Sequence, residues 1–168
     1  MEWLIITFIV ASLIGSVMWV MPSPRQRYQA QLRMRARKLG IQVQLARVTL
    51  PRAKGELEPE TVSVPAYRFI RDNLERSERD RWLGWEVHRM DLIDNEGLPE
   101  GWSWIKGQGS LPDAAVAQLG TLLNALPEDV VGVESTPLHL SLYWHEHGEA
   151  DRLEKLHSLV QPLLESKV

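Results

Sequence analysis

"WLIITFIVASLIGSVMWVMPSPRQRYQAQLRMRARKLG", residues 3–40, joins an uncharged stretch to a strongly basic one. Residues 3–21 contain no charged side chain, and six arginines and lysines, with no acid among them, then lie between Arg25 and Lys38. As a helix, residues 3–21 would extend about 28 Å at about 1.5 Å per residue, close to the bilayer's hydrocarbon core of about 30 Å. The pattern predicts an uncleaved transmembrane helix within 1–22, followed by a basic juxtamembrane helix at 23–40.

The ends of the apolar stretch agree with a single-pass signal anchor. Trp3 and Trp19 lie where indole rings favour the headgroup interface, and Pro22 and Pro24 would break the helix as it leaves the bilayer. A cleaved signal peptide would start with basic residues and carry a small-residue cleavage site, whereas this chain starts Met-Glu. The positive-inside rule places the N-terminus outside a bacterial inner membrane and the C-terminal domain in the cytoplasm.

The basic stretch has two readings that are compatible with each other. Its cations could bind anionic lipid headgroups as a membrane-surface site, or they could only set the topology and face water. The six cations are Arg25, Arg27, Arg33, Arg35, Arg37 and Lys38. In the apolar stretch, Ala11 and Gly15 form a small-xxx-small pair, which makes a homodimer through this helix a candidate.

Charge and cysteine content restrict the function classes. Residues 1–54 carry nine Lys/Arg and one acid, and residues 55–168 carry ten Lys/Arg and twenty-one acids. This acidic body argues against nucleic acid as a partner. The chain contains no cysteine, which excludes disulfides, thiolate metal sites and a cysteine nucleophile.

The remaining chain predicts one cytoplasmic α+β domain at 41–168. Residues 51–60 read as a polar turn and 91–112 as a long loop, while 71–80 fit either a short helix or a hairpin tip. Alternating and helical periodicities predict strands at 41–50, 61–70, 81–90, 129–136 and 138–147, and helices at 112–126 and 149–165. The order β-β-β-α-β-β-α favours a mostly antiparallel sheet with helices on one face.

One histidine-rich strand offers a candidate metal site. If 138–147 is a single strand, His139, His145 and His147 share the face opposite its leucines, and such imidazoles could hold a metal such as zinc. The alternative is a solvent face that tolerates histidine. H-E-x-x-H, G-x-S-x-G and both common phosphate-binding glycine motifs are absent from the sequence, so no cofactor is expected.

Two tryptophans in the glycine-rich loop have two readings. Trp102 and Trp104 could be exposed anchors for a partner protein, or the loop could fold back and bury them against the sheet. The second reading agrees with the rarity of large aromatic surfaces in water.

The layout resembles two bacterial membrane proteins. An apolar span followed by "PSPRQRYQAQLRMRARKLG" (22–40) resembles YajC, the accessory subunit of the preprotein translocase. An N-terminal span before a cytoplasmic α+β domain is similar in plan to the division anchor ZipA. The predicted anchor, the basic stem and an acidic body without a recognisable catalytic motif predict a non-enzymatic, membrane-anchored protein whose cytoplasmic domain binds or organises a membrane or cytoplasmic partner. The alternatives are an accessory subunit of the YajC kind and a membrane-tethered metal enzyme that uses the three histidines.

Overall fold

The computed structural model describes residues 2–49, 61–92, 94–148 and 151–168, without the side chains of 17–20. The predicted turn at 51–60 and the side chain of Trp19 lie outside the described residues. The helices are α1 (Glu2–Val20), α2 (Pro24–Lys38), α3 (Arg76–Asp80), α4 (Asp113–Ala125) and α5 (Arg152–Glu165). The strands are β1 (Gln42–Thr49), β2 (Thr61–Ile70), β3 (Trp85–His88), β4 (Ser103–Lys106), β5 (Val130–Ser135) and β6 (His139–Trp144).

All these strands form one antiparallel sheet. Their order across it is β1-β2-β6-β5-β3-β4, and every neighbouring pair runs antiparallel. Because side chains alternate between the two faces of a strand, each strand sends every second residue to one face. With its helices packed beside a six-stranded antiparallel sheet, the chain has an α+β fold.

The main core lies between one face of the sheet and three helices. The strands contribute aromatic and branched side chains, including Tyr67, Trp85 and Trp144, each with 1% or less of its surface exposed. Helices α2, α4 and α5 pack their apolar stripes against them, led by Leu32, Leu119 and Leu156. The core residues of all three helices belong to the same cluster, so these helices share one face of the sheet.

The opposite face of the sheet carries a smaller apolar cluster and a polar pair. Val48, Val64, Ala66 and Tyr143 form that cluster, to which no described helix contributes a side chain. Around it, the Tyr143 hydroxyl donates to Glu134 at 3.1 Å. On this open face, some polar side chains are therefore hydrogen-bonded to each other.

Helix α2 is fixed at both ends by local sequence. Ser23 caps its start: the hydroxyl accepts from the Gln26 amide and the Gln26 side chain accepts from the Ser23 amide, a reciprocal capping box. At the other end Gly40 adopts φ +75°, and the Ile41 amide donates to Ala36 at 2.9 Å. This turn leads directly into β1.

The prediction of a transmembrane anchor is wrong. In the parts of the chain that the structure describes, no helix combines the length and the apolar character that a membrane crossing requires. The finding also overturns the single-pass signal anchor and the inner-membrane location with the N-terminus outside.

The sheet differs from the predicted order by one strand. The predicted loop at 91–112 contains β4, which pairs with β3 and supplies Trp104 to the core. Periodicity cannot find it because β4 has only four residues between glycine-rich turns. The undecided stretch at 71–80 contains α3, which begins at Arg76.

Candidate functional site

Strand β1 forms one edge of the sheet along its full length. It pairs with β2 in an unbroken register from Gln42↔Arg68 to Thr49↔Thr61, and no other described strand lies beside it. The outward backbone groups of such an edge can accept another strand by main-chain hydrogen bonding. β1 therefore presents an eight-residue pairing surface.

The opposite edge is much less suited to pairing. Strand β4 has four residues, and its register with β3 shifts between Glu86 and Val87. Gly107, at φ +82°, follows it, and its carbonyl accepts from the Ser110 amide at 3.0 Å in a turn. Short and irregular edges resist addition of further strands. The two edges thus differ in a way that makes β1 the accessible one.

The side chains of β1 do little to block a partner. Proteins protect edges with proline, bulges or inward-facing charges, and β1 has neither proline nor bulge and only one charge, Arg47. Leu45 is 66% exposed although it lies on the same face as Val43, which packs on the core. An exposed leucine at the centre of an unpaired edge is a contact point for an apolar group.

Cations lie within β1 and in the helical turn that precedes it. Residues 23–49 contain no aspartate or glutamate. Arg37 and Lys38 occupy the last turn of α2, immediately before β1, and Arg47 lies within the strand. No carboxylate among the described residues forms an ion pair with these three cations, whereas Arg33 and Arg35 each have one. Among the described residues, these three cations are thus the ones near β1 that carry no ion pair.

The structure separates the six predicted surface cations into two groups. Arg33 and Arg35 contact Glu146 and Glu154, and the Arg25 guanidinium lies 3.2 Å from the His147 ring. Arg27, Arg37 and Lys38 are exposed and have no ion pair with a described carboxylate. No contact in the structure tests the predicted role of these cations at a lipid surface.

A buried carboxylate fixes α2 to the domain. Both oxygens of Glu146 accept from Arg33, at 2.8 and 2.9 Å, and one also accepts from the Tyr67 hydroxyl at 2.9 Å. The hydrogen bond with Glu146 raises the pKa of Arg33, and burial raises the pKa of Tyr67, with the Glu146 charge adding to it. This contact holds α2, and with it the cations of the last turn, against the sheet.

The three candidate metal ligands do not converge. β6 ends at Trp144, and Glu146 at φ +57° breaks the alternation that would have aligned His145 and His147 with His139. His139 bonds to Ser141 at 3.1 Å, and its pKa is lowered by burial and then by the charge of Arg68. Within the described residues, no group of three or more histidines and acids is placed to hold a metal ion.

The loop tryptophans lie inside the domain. Trp102 and Trp104 are 2% and 4% exposed, and the Trp104 indole donates to the Glu96 carbonyl at 3.0 Å. The Arg89 guanidinium stacks on Trp102 at 4.7 Å from the ring centre. The loop folds back onto the sheet, so these rings are not available as surface anchors in this structure.

The predicted residues of α1 lie on an exposed helix. Trp3 is 82% exposed, and an added Cβ at Gly15 would meet no atom within 4 Å. All described side chains of this helix, including Ala11, are exposed. The homodimer through Ala11 and Gly15 stays a prediction.

Comparison with known proteins gives no assignment. No protein-family model, curated protein or solved structure matches this chain. Its function must therefore be argued from the residues and their geometry.

Sequence reasoning missed both the β1 edge and the Glu146 contact. The alternation at 41–50 predicts a strand but not its position at the edge of the sheet. The only signal was the basic, acid-free stretch 23–49, which continues into this strand. Glu146 lies in "HEH", where the two histidines suggested a metal, and no local pattern reveals that its partners are Arg33 and Tyr67.

Proposed function

We propose that this chain is a non-enzymatic protein-binding subunit whose partner adds to the sheet along β1. The supporting observation is that β1 is an eight-residue edge without bulge or proline, with Leu45 66% exposed at its centre. Strand addition uses main-chain hydrogen bonds for affinity and side-chain contacts for specificity. The cations around β1 would provide the side-chain contacts that give specificity.

The contacts of two buried or half-buried carboxylates support a binding function rather than catalysis. Glu146 is bonded to Arg33 and Tyr67, and Asp129 accepts from the Trp144 indole and the His147 amide. These buried or half-buried carboxylates hold elements of the fold together. They are the groups from which an acid–base site would otherwise be built.

Site-specific photocross-linking in the cells that produce the chain tests the proposal. Benzoylphenylalanine would be placed at Leu45 or Arg47 of the full chain, and at exposed Gln118 on α4 as a matched control. We expect one protein to be cross-linked from both β1 positions and not from Gln118. An identical pattern from all three positions, or no protein adduct from β1, would overturn strand addition as the function.

Metal analysis separates the proposal from the enzyme alternative. The purified chain would be analysed for zinc, together with a variant carrying His145→Ala and His147→Ala. We expect no stoichiometric metal in either protein. Stoichiometric zinc that the double variant loses would favour the metal-enzyme alternative over a binding subunit.

A further inference from the structure

We infer that the segment bound by β1 is an extended acidic strand that pairs an apolar residue with Leu45 and a carboxylate with Arg47. This inference rests on the proposed function, since it names the chemistry of the partner at the same edge. It is carried by the charge around β1 and by the order of its side chains.

The charge around β1 selects an acidic partner. Arg37, Lys38 and Arg47 are exposed, and no described carboxylate forms an ion pair with them. The sequence from 23 to 49, which contains the last turn of α2 and all of β1, has no aspartate or glutamate. Complementary potentials steer association and suppress partners of the wrong sign. A strand rich in aspartate or glutamate fits this edge, and a basic strand does not.

The alternation of β1 defines the pattern that the partner must present. Leu45 and Arg47 are two residues apart and therefore lie on the same face of the sheet. Across a strand pair, directly opposed side chains contact each other. A bound strand would accordingly carry an apolar side chain and a carboxylate two positions apart on that face.

The other face of β1 imposes fewer demands. The Gln44 side-chain oxygen accepts a hydrogen bond from Arg68, and Ala46 offers only a methyl group. Neither side chain projects a free charge toward the position of a seventh strand. Specificity therefore comes from the face that carries Leu45 and Arg47.

A second copy of this chain fits the edge poorly. Pairing two β1 strands would bring together two edges that both carry Arg37, Lys38 and Arg47, and no acid lies within residues 23–49 to neutralise them. Like charges brought close together across an interface are unfavourable. The observations therefore favour a different, acidic chain over self-pairing.

Synthetic strands provide a direct test with the full chain. The probe is a nine-residue threonine–valine peptide with a central leucine and glutamates two residues to either side, labelled with a fluorophore. The control peptide has lysines in place of the glutamates. We expect the glutamate peptide to bind at least about tenfold more tightly, with an advantage that shrinks as salt rises from about 50 to about 300 mM. Hydrogen exchange should slow at β1 amides when it binds.

Two triple variants test whether the cations of the edge are responsible. Arg37→Gln, Lys38→Gln and Arg47→Gln together should weaken binding of the glutamate peptide by about tenfold. The matched control removes three exposed cations at α3, far along the chain from β1, and should change affinity by less than about twofold. It carries the substitutions Arg76→Gln, Arg79→Gln and Arg81→Gln.

The outcomes separate this inference from the proposed function. Cross-links from Leu45 together with equal binding of the two peptides would overturn the acidic partner and leave strand addition standing. Absence of cross-links would overturn both. A cross-link from Leu45 to a second copy of the chain, or tighter binding of a single-stranded oligonucleotide than of the glutamate peptide, would also overturn the acidic strand.

Discussion

At the scale of single residues, Glu146 shows how one side chain positions a whole helix. Its carboxylate has no exposed surface and accepts hydrogen bonds from Arg33 and Tyr67, which come from α2 and β2. A carboxylate buried in this way needs its partners, because an unpaired buried charge is strongly unfavourable. Helix α2 is thus held to the domain by the Arg33–Glu146 ion pair as well as by the packing of Leu32.

We predict that Arg33→Ala lowers the free energy of unfolding by about 1–3 kcal/mol. Removing one partner of a buried ion pair costs about 3–5 kcal/mol, and the loss is reduced here because the Arg33 side chain is 44% exposed. Urea denaturation of the full chain measures it. Arg27→Ala is the control and should change stability by less than about 0.5 kcal/mol. Equal effects of the two substitutions would contradict the role given to Glu146.

A second prediction concerns His139 and pH. Burial, and then the charge of Arg68, lower its pKa in the fold below the ordinary value of 6.5. The unfolded chain therefore binds this proton first as the pH falls, so the stabilising contribution is present above pH 6.5 and is lost at lower pH.

The unfolding free energy should accordingly decrease from about pH 7 to about pH 5, with a smaller decrease in His139→Gln. Arg68→Gln should change the pH dependence in the same direction, because it removes a charge that disfavours the protonated ring. A decrease of equal size in wild type and both variants would show that His139 does not contribute.

At the scale of elements, two glycines differ in how much space surrounds them: one has no room for a side chain, and the other has room for a methyl group. In β5, a Cβ at Gly132 would lie 2.7 Å from Tyr143 Cδ2 and 3.1 Å from His88 Nε2. In α4, a Cβ at Gly120 would meet nothing nearer than Pro99 at 4.0 Å. The strand needs its glycine for packing, whereas the helix does not.

We predict opposite signs for alanine at these two positions. Gly132→Ala should destabilise the fold by about 2 kcal/mol, since it forces side chains apart in a packed region. Gly120→Ala should stabilise it by about 0.5–1 kcal/mol, the difference in helix propensity between glycine and alanine. Thermal and urea unfolding of both variants measure the two effects, and a loss of stability in Gly120→Ala would show that the space beside Pro99 is needed.

The elements also show what the sequence could and could not reveal. Periodicity and composition located every described strand except β4, and the helices α4 and α5, because apolar residues recur at the period of each element. β4 was missed because four residues between turns carry no readable period. The order of strands, and hence the edge position of β1, depends on contacts between residues far apart in the chain. The predicted metal site at the three histidines was wrong because the positive φ of Glu146 ends the side-chain alternation that was assumed for 138–147.

At the scale of the whole molecule, the two N-terminal helices differ in their relation to the domain. The described side chains of α1 are exposed, and the hydrogen bonds of Thr7 and Ser16 stay within that helix. Helix α2 contributes Leu32 and Ala36 to the main core, at 1% and 0% exposure. The cooperative unit of folding should therefore begin at the cap of α2 and not at the first strand.

Two truncations test where that unit begins. Residues 23–168 should unfold with a free energy within about 1 kcal/mol of the full chain, since no described side chain of α1 is buried against the domain. Residues 41–168 should lose at least about 3 kcal/mol, because removal of Leu32 exposes apolar surface and removal of Arg33 leaves the Glu146 carboxylate without its cation. Urea denaturation followed by tryptophan fluorescence compares the three proteins. If 41–168 were as stable as 23–168, α2 would not be part of the folding unit, and its cations would not be held beside β1 as the proposed strand addition requires.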